Sequence, residues 1–407
     1  MPITLLSEEV INKIAAGEVI ERPASVIKEL VENSLDAHAT RLRIEVEDYG
    51  KELIRITDNG EGMSEEDAQK SILRHATSKI KTADDLFSIT TLGFRGEALA
   101  SIAAVSRLSL TTKQAGLLAG FNLVVENGIV LSSGITAADQ GTTLEVRDLF
   151  FNTPARKKFL KTDHVELHHI IDVIAHYALV NPSVSFQLSH NGHELLHTSP
   201  LGDLRSTIAS VYGAETAKEL LEFTEQEQGI TLHGFICKPY SVRNDKHQQA
   251  LFVNGRWIKN IDLVKAVYNG YHSMLFVNKH PVFVLHLQLD PESIDVNVHP
   301  QKSEIRIGQK EKICAIVTNA IRKNLQKQMS FPSVELPEMR PQALPQAQLR
   351  VVEKKTSMYA FESTTQTLLH VRETASVSPP QDSPPHDLIS HSITESRTLS
   401  TLPNNLP

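Results

Sequence analysis

The sequence predicts an α/β protein of two folded domains and a polar tail, with an antiparallel strand pair central to the first domain. Three observations predict it. Residues Ala24–Ala37 read as an amphipathic helix. Two alternating strands, Leu42–Val46 and Leu53–Asp58, follow with a turn between them. The composition breaks at Ser199–Gly202 and again after Phe331, which sets domains at 1–202 and 203–330 and a tail at 331–407.

The opening residues, among them Ile3, Leu5, Val10 and Ile14, form an apolar arm that packs on its own domain or reaches elsewhere. Pro23 suits a helix start. Ile27, Leu30, Val31 and Leu35 recur at helical spacing and face a core, while Glu29, Asn33 and Asp36 align on another side. Leu42, Ile44 and Val46 alternate with charged residues, and Asp48–Lys51 turn the chain into the second strand. Asp58 has the parity of Ile54 and Ile56, so a carboxylate stands on the buried face and needs donors there. Gly60 and Gly62 then let backbone come close to a ligand. The polar stretch from Ala76 to Leu92 reads as a surface helix and loop or as a lid, and Gly93–Gly96 precede an apolar helix whose free N–H groups suit phosphate.

Further on, Gly141–Val146 is a strand. Arg156, Lys157 and Lys158 are a solvated helix start or a phosphate-contacting patch. His164 and His168 are four apart, but the Val-Glu-Leu between them is not the zinc motif, and a surface helix is expected. In the second domain Asn254–Gly255 marks a tight turn that exposes Arg256. Val296 and Val298 alternate on a strand that stops at Pro300, Lys302 follows on a loop, and a helix Lys310–Met329 closes the domain. About half of the 19 prolines fall after Phe331, with few aromatics, so that segment reads as linker.

Composition narrows the classes. A net charge of −7 excludes a uniformly basic nucleic-acid binder, so any such site is a local patch. The two cysteines, Cys237 and Cys314, lack Cys/His partners nearby and read as reduced thiols of a cytoplasmic protein. No run approaches the ~20 apolar residues of a membrane span, and no signal peptide or P-loop is visible.

The helix with Glu29 and Asn33, the strand Leu53–Met63 and the run Gly93–Leu99, in this order, resemble the GHKL ATP-binding fold. Ile14–Pro23, Arg74–Lys79 and Leu149–Leu160 are similar to the MutL family of DNA mismatch repair proteins, over roughly Met1–Phe331. The resemblance implies a two-layer α/β sandwich of GHKL (Bergerat) type with a mixed, mostly antiparallel sheet, followed by a smaller α/β transducer domain with a ribosomal-protein-like fold. It implies a weak Mg²⁺-dependent ATPase: Glu29 as general base, Asn33 on Mg²⁺, Asp58 on the adenine amine, and Gly60 and Gly62 giving the base room. Thr143 lies near the adenine. Thr77, Ser78, Lys79, Gly93, Phe94, Arg95 and Gly96 close over the phosphates, and Lys302 reaches the γ-phosphate. Arg256 contributes to DNA binding, with Arg156, Lys157 and Lys158 as the second patch. The implied role is a matchmaker that forms an ATP-dependent homodimer through its N-terminal arms. It couples a MutS-type mismatch sensor to a downstream endonuclease and helicase on DNA. A nucleotide-dependent interaction module with incidental hydrolysis is the alternative. The dimerisation domain and nuclease motif of relatives are absent from these residues, and His38 stands where relatives often have glycine.

Overall fold

The computed structural model describes residues 16–17, 19–79, 91–93, 96–295 and 306–329. The expectations for the N-terminal arm, most of the lid, Phe94, Arg95, Val296, Val298, Lys302 and the tail lie outside them.

Helix α1 (Pro23–Asp36) is followed by β1 (Arg41–Glu47), β2 (Leu53–Asp58), α2 (Glu65–Ser71) and α3 (Ala98–Ala104). Then come β3 (Arg107–Lys113), β4 (Gly120–Glu126), β5 (Ile129–Thr136), β6 (Gly141–Arg147), α4 (Pro154–Phe159), α5 (Asp163–Val180), β7 (Ser185–His190) and β8 (His193–His197). These eight strands form one sheet in the order β5-β4-β3-β6-β2-β1-β7-β8. Every neighbouring pair is antiparallel except β1 with β7. This is the mixed, mostly antiparallel sheet that the resemblance implies.

Strand alternation makes it a two-layer structure. Leu42, Ile44, Val46, Ile54 and Ile56 are buried on the face that meets the helices. The other face is polar: Arg55 bonds Glu145 at 2.9 Å and Glu45 at 2.8 Å across neighbouring strands. These half-buried pairs contribute modestly and make that face polar.

Pro23 sits at the first position of α1, and Val26, Ile27, Leu30 and Val31 are buried against the sheet and α5. The helix ends in a Schellman motif. Ala39 N–H donates to the Ser34 carbonyl at 3.0 Å and His38 N–H to the Leu35 carbonyl at 3.0 Å. That motif puts the residue after the cap in the left-handed region, and here His38 has φ +59°. Its exposed ring meets Glu61 at 2.9 Å, a pair of small worth. His38→Gly is therefore expected to raise stability by roughly 0.5–1 kcal/mol, read as a higher urea midpoint with unchanged slope.

The second domain begins with α6 (Leu204–Tyr212) and α7 (Ala214–Lys218). Strands β9 (Leu220–Glu227), β10 (Ile230–Cys237), β11 (Gln249–Val253), β12 (Arg256–Trp257) and β13 (Phe283–Gln288) make a sheet ordered β12-β11-β13-β10-β9. Helix α8 (Ile261–Tyr271) lies between β12 and β13 in sequence, and the short β14 (Ile294–Asp295) and β15 (Arg306–Ile307) precede α9 (Lys310–Met329). Asn254 and Gly255 both have positive φ, 46° and 76°, as the predicted tight turn requires. Helix α5 joins the two cores, with Ile170, Ile174 and Ala178 in the first and Leu179 in the second.

Aromatic and imidazole rings line that junction. His176 of α5 stacks on Trp257 at 4.2 Å, and Phe252 stacks on His286 at 4.7 Å. Burial, helped by Lys259, pushes the His176 ring down to about 4. Burial, helped by His233, does the same to His286. Both therefore bind protons more readily when unfolded, so stability falls as pH drops from the ordinary 6.5 towards 4. The expected loss is on the order of 2 kcal/mol per ring after allowing for partial solvent access. Urea midpoints at pH 7 and pH 4.5 check it, and His176→Phe should remove about half of the difference.

Candidate functional site

A cleft of about 1510 Å³ opens beside α1 and runs on to the second domain. Its floor is the end of β2. Asp58 keeps the parity of Ile54 and Ile56, so its carboxylate is carried to the helix side, where it is 8% exposed. Oδ2 accepts from Ser34 Oγ at 2.8 Å, and Oδ1 from the amides of Gly60 at 2.9 Å and Thr142 at 3.2 Å. Burial raises its proton affinity, and those three donors oppose the rise. A carboxylate accepts about four hydrogen bonds, so it keeps acceptor capacity at the cleft it lines.

The glycines after Asp58 serve the chain's own backbone. A Cβ on Gly60 would stand 2.7 Å from the Ala37 carbonyl oxygen, and one on Gly62, at φ +68°, would stand 2.1 Å from that of Lys113. Gly62 lines the cleft and Gly60 supplies its amide to Asp58. Both bring β2's exit loop against neighbouring backbone, a reason different from the room for a base that the sequence suggests.

Thr143 corrects the prediction. Its hydroxyl donates to Thr57 Oγ1 at 3.2 Å on the sheet's polar face. The side chains that line the cleft from this strand are Thr142 and Leu144. A strand turns successive residues to opposite faces, so an offset of one residue moves the threonine out of the site.

Glu29, Asn33 and Asp36 of α1 all line the cleft. Lys28 Nζ holds Glu29 Oε1 at 3.2 Å and Glu32 Oε1 at 2.9 Å. Burial pulls the Lys28 ammonium down, but the two carboxylates outweigh it and raise it overall. Tyr177 of α5 donates to Glu32 Oε1 at 2.5 Å. Burial, then Glu32, holds the Tyr177 phenol far above its ordinary range, so it stays a donor. Sequence reasoning missed Lys28, Glu32 and Tyr177, because Glu32 and Tyr177 are 145 residues apart and no motif joins them.

Asp36 anchors the loop at Leu92 and Gly93. Its carboxylate accepts from the Leu92 amide at 2.9 Å and the Gly93 amide at 3.1 Å. Lys79 Nζ sits between Asp36 Oδ2 at 2.6 Å and Asn33 Oδ1 at 2.9 Å. An amide oxygen one turn from a carboxylate is a donor set that suits a hard cation, and here an ammonium holds that place. Gly93 is pressed close: an added Cβ would lie 3.1 Å from Lys79 Nζ. Gly96, at φ +62°, stacks on the Ala76 backbone and so sets Thr77 and Ser78 along the same wall. Among the described residues no three His, Cys, Asp or Glu side chains form a metal cluster.

The basic candidates divide. Lys157 and Lys158 are exposed on α4. Arg156 is half-buried and packs on Gly17, where an added Cβ would lie 1.5 Å from its Nη2, and burial lowers its proton affinity. Arg256 is also turned inward, not exposed at its turn: Nη2 donates to the Thr91 carbonyl at 2.9 Å. His164 and His168 are exposed on α5.

Residues 20–127 match the family described as histidine kinase-, DNA gyrase B-, and HSP90-like ATPase, and residues 208–326 that described as DNA mismatch repair protein, C-terminal domain. Fold and cleft together define a GHKL-type ATPase domain followed by a ribosomal-protein-like α/β domain. The Aquifex aeolicus MutL ATPase domain, solved with ADP, is 33% identical with a TM-score of 0.53, over 67% of this chain and 94% of that one. A structure described as the N-terminal domain of a DNA repair protein is 30% identical with a TM-score of 0.67, over 78% of this chain and 98% of that one. DNA mismatch repair protein MutL of Halalkalibacterium halodurans is 47% identical over 335 residues, 82% of this chain and 52% of that protein. The chain belongs to the MutL family of DNA mismatch repair proteins. It spans about half the length of the curated relatives it matches. No helix among the described residues is long and apolar enough to cross a membrane.

Proposed function

We propose that this chain is the ATP-switched part of a mismatch-repair matchmaker, a weak Mg²⁺-dependent ATPase that closes on a second copy when ATP binds. The observation that carries the reading is the buried Asp58 carboxylate, held by three donors at the floor of the cleft with acceptor capacity left. An exocyclic amine satisfies it; a carbonyl oxygen, as in guanine, is repelled.

Glu29 takes a proton from the attacking water, and Lys28 fixes its orientation. Asn33 would hold Mg²⁺ through the amide oxygen that Lys79 now occupies, and the ion would supply charge neutralisation at the phosphates. Thr77, Ser78, Gly93 and Gly96 would supply the loop together with Phe94 and Arg95, and Lys302 would bring positive charge to the γ-phosphate. Lys157 and Lys158, exposed on α4, are the better-placed DNA contacts, with Arg256 available only if it leaves Thr91. The proposed partners are DNA, a MutS-type mismatch sensor and a downstream endonuclease and helicase.

ATP hydrolysis per mole of protein, measured over a range of protein concentrations with Glu29→Ala as the blank, tests the reading. A specific rate that rises with concentration is expected, because closure needs two copies. A flat rate favours the alternative, an interaction module with incidental hydrolysis.

A further inference from the structure

The phosphate-side loop is held from two directions. From α1, Asp36 accepts the amides of Leu92 and Gly93 at 2.9 and 3.1 Å. From the second domain, 165 residues away in sequence, Arg256 donates to the Thr91 carbonyl at 2.9 Å. Within the loop the Thr91 hydroxyl donates to the Gly93 carbonyl at 2.7 Å, so the three residues move together.

The second anchor is stiff. Arg256 pairs with Val253 across the Asn254–Gly255 turn, so the second sheet fixes its Cα. Its neighbour Trp257 stacks on His176, with Lys259 Nζ 5.0 Å from the ring centroid. The permanent charge of Arg256 faces a neutral carbonyl, and a charged donor makes the stronger bond there.

We propose that Arg256 is a positioning residue for nucleotide binding: through Thr91 it sets where Gly93 stands beside Asn33 and Lys79, and so couples the second domain's placement to the site. It acts on the site through its hydrogen bond to Thr91. This inference rests on the nucleotide reading above and adds a regulator to it.

The test uses the full 407-residue chain as wild type, Arg256→Ala and Arg256→Lys. Amide exchange at Leu92 and Gly93 is followed without nucleotide, and ATP is titrated with Mg²⁺. In Arg256→Ala those two amides are expected to exchange about tenfold faster, and ATP to bind about tenfold more weakly, the low end for one hydrogen bond to a charged group. Arg256→Lys, which keeps a charged donor, should recover most of both. Unchanged exchange at Leu92 and Gly93 in Arg256→Ala overturns the proposal. So does a loss of protection spread over the whole second sheet, which marks structural damage. If the wild type binds no ATP, the nucleotide reading fails, while the exchange result still decides whether Arg256 holds the loop.

Discussion

Glu29→Ala is expected to bind ATP close to normally and to hydrolyse it about 10²–10⁴ times more slowly, the usual contribution of a positioned general base. Glu29 lines the cleft on the same side of α1 as Asn33, one turn away, and Lys28 holds it at 3.2 Å. Removing its carboxylate leaves Lys28 paired with Glu32 at 2.9 Å, so no buried charge is orphaned and the fold should persist. Single-turnover hydrolysis and a binding titration on the same preparation separate the two effects. A collapse of affinity at normal turnover would make Glu29 a binding residue.

Asp58→Asn should leave a folded protein whose ATP affinity falls by about 10²-fold. The amide oxygen can still take the Gly60 and Thr142 amides that converge on Oδ1. The amide nitrogen then replaces the acceptor Oδ2, which Ser34 Oγ now meets at 2.8 Å. Ser34 can rotate to accept from it, but an exocyclic amine in the cleft would face a donor. Asp58→Ala is a poorer probe, since three donors would lose their acceptor at about 1–3 kcal/mol each. Titration of ATP into Asp58→Asn checks the expectation, and wild-type affinity would remove Asp58 from base recognition.

Much of the scaffold follows local rules that act within a few residues. Pro23 and the spacing of Ile27, Leu30 and Val31 define α1, and the parity of Asp58 places its carboxylate on the correct face. The Asn254–Gly255 turn and the limits of Lys310–Met329 are legible for the same reason. The signal against Thr143 is present in the sequence: Leu144 and Val146 are the strand's buried side chains, and of its two threonines only Thr142 shares their parity. Charge direction was not legible. Whether Arg156 and Arg256 face solvent depends on Gly17 and Thr91, both far off in sequence. The Lys28–Glu32–Tyr177 network is hidden likewise, since α5 must first fold across α1.

Equilibrium titration of ATP and GTP, each with Mg²⁺, into the wild-type chain tests the central claim most directly. The buried carboxylate predicts saturable ATP binding and GTP binding at least about 100-fold weaker, because the guanine carbonyl would meet an acceptor. Equal affinity for the two, or no ATP binding, would contradict the assignment of this cleft.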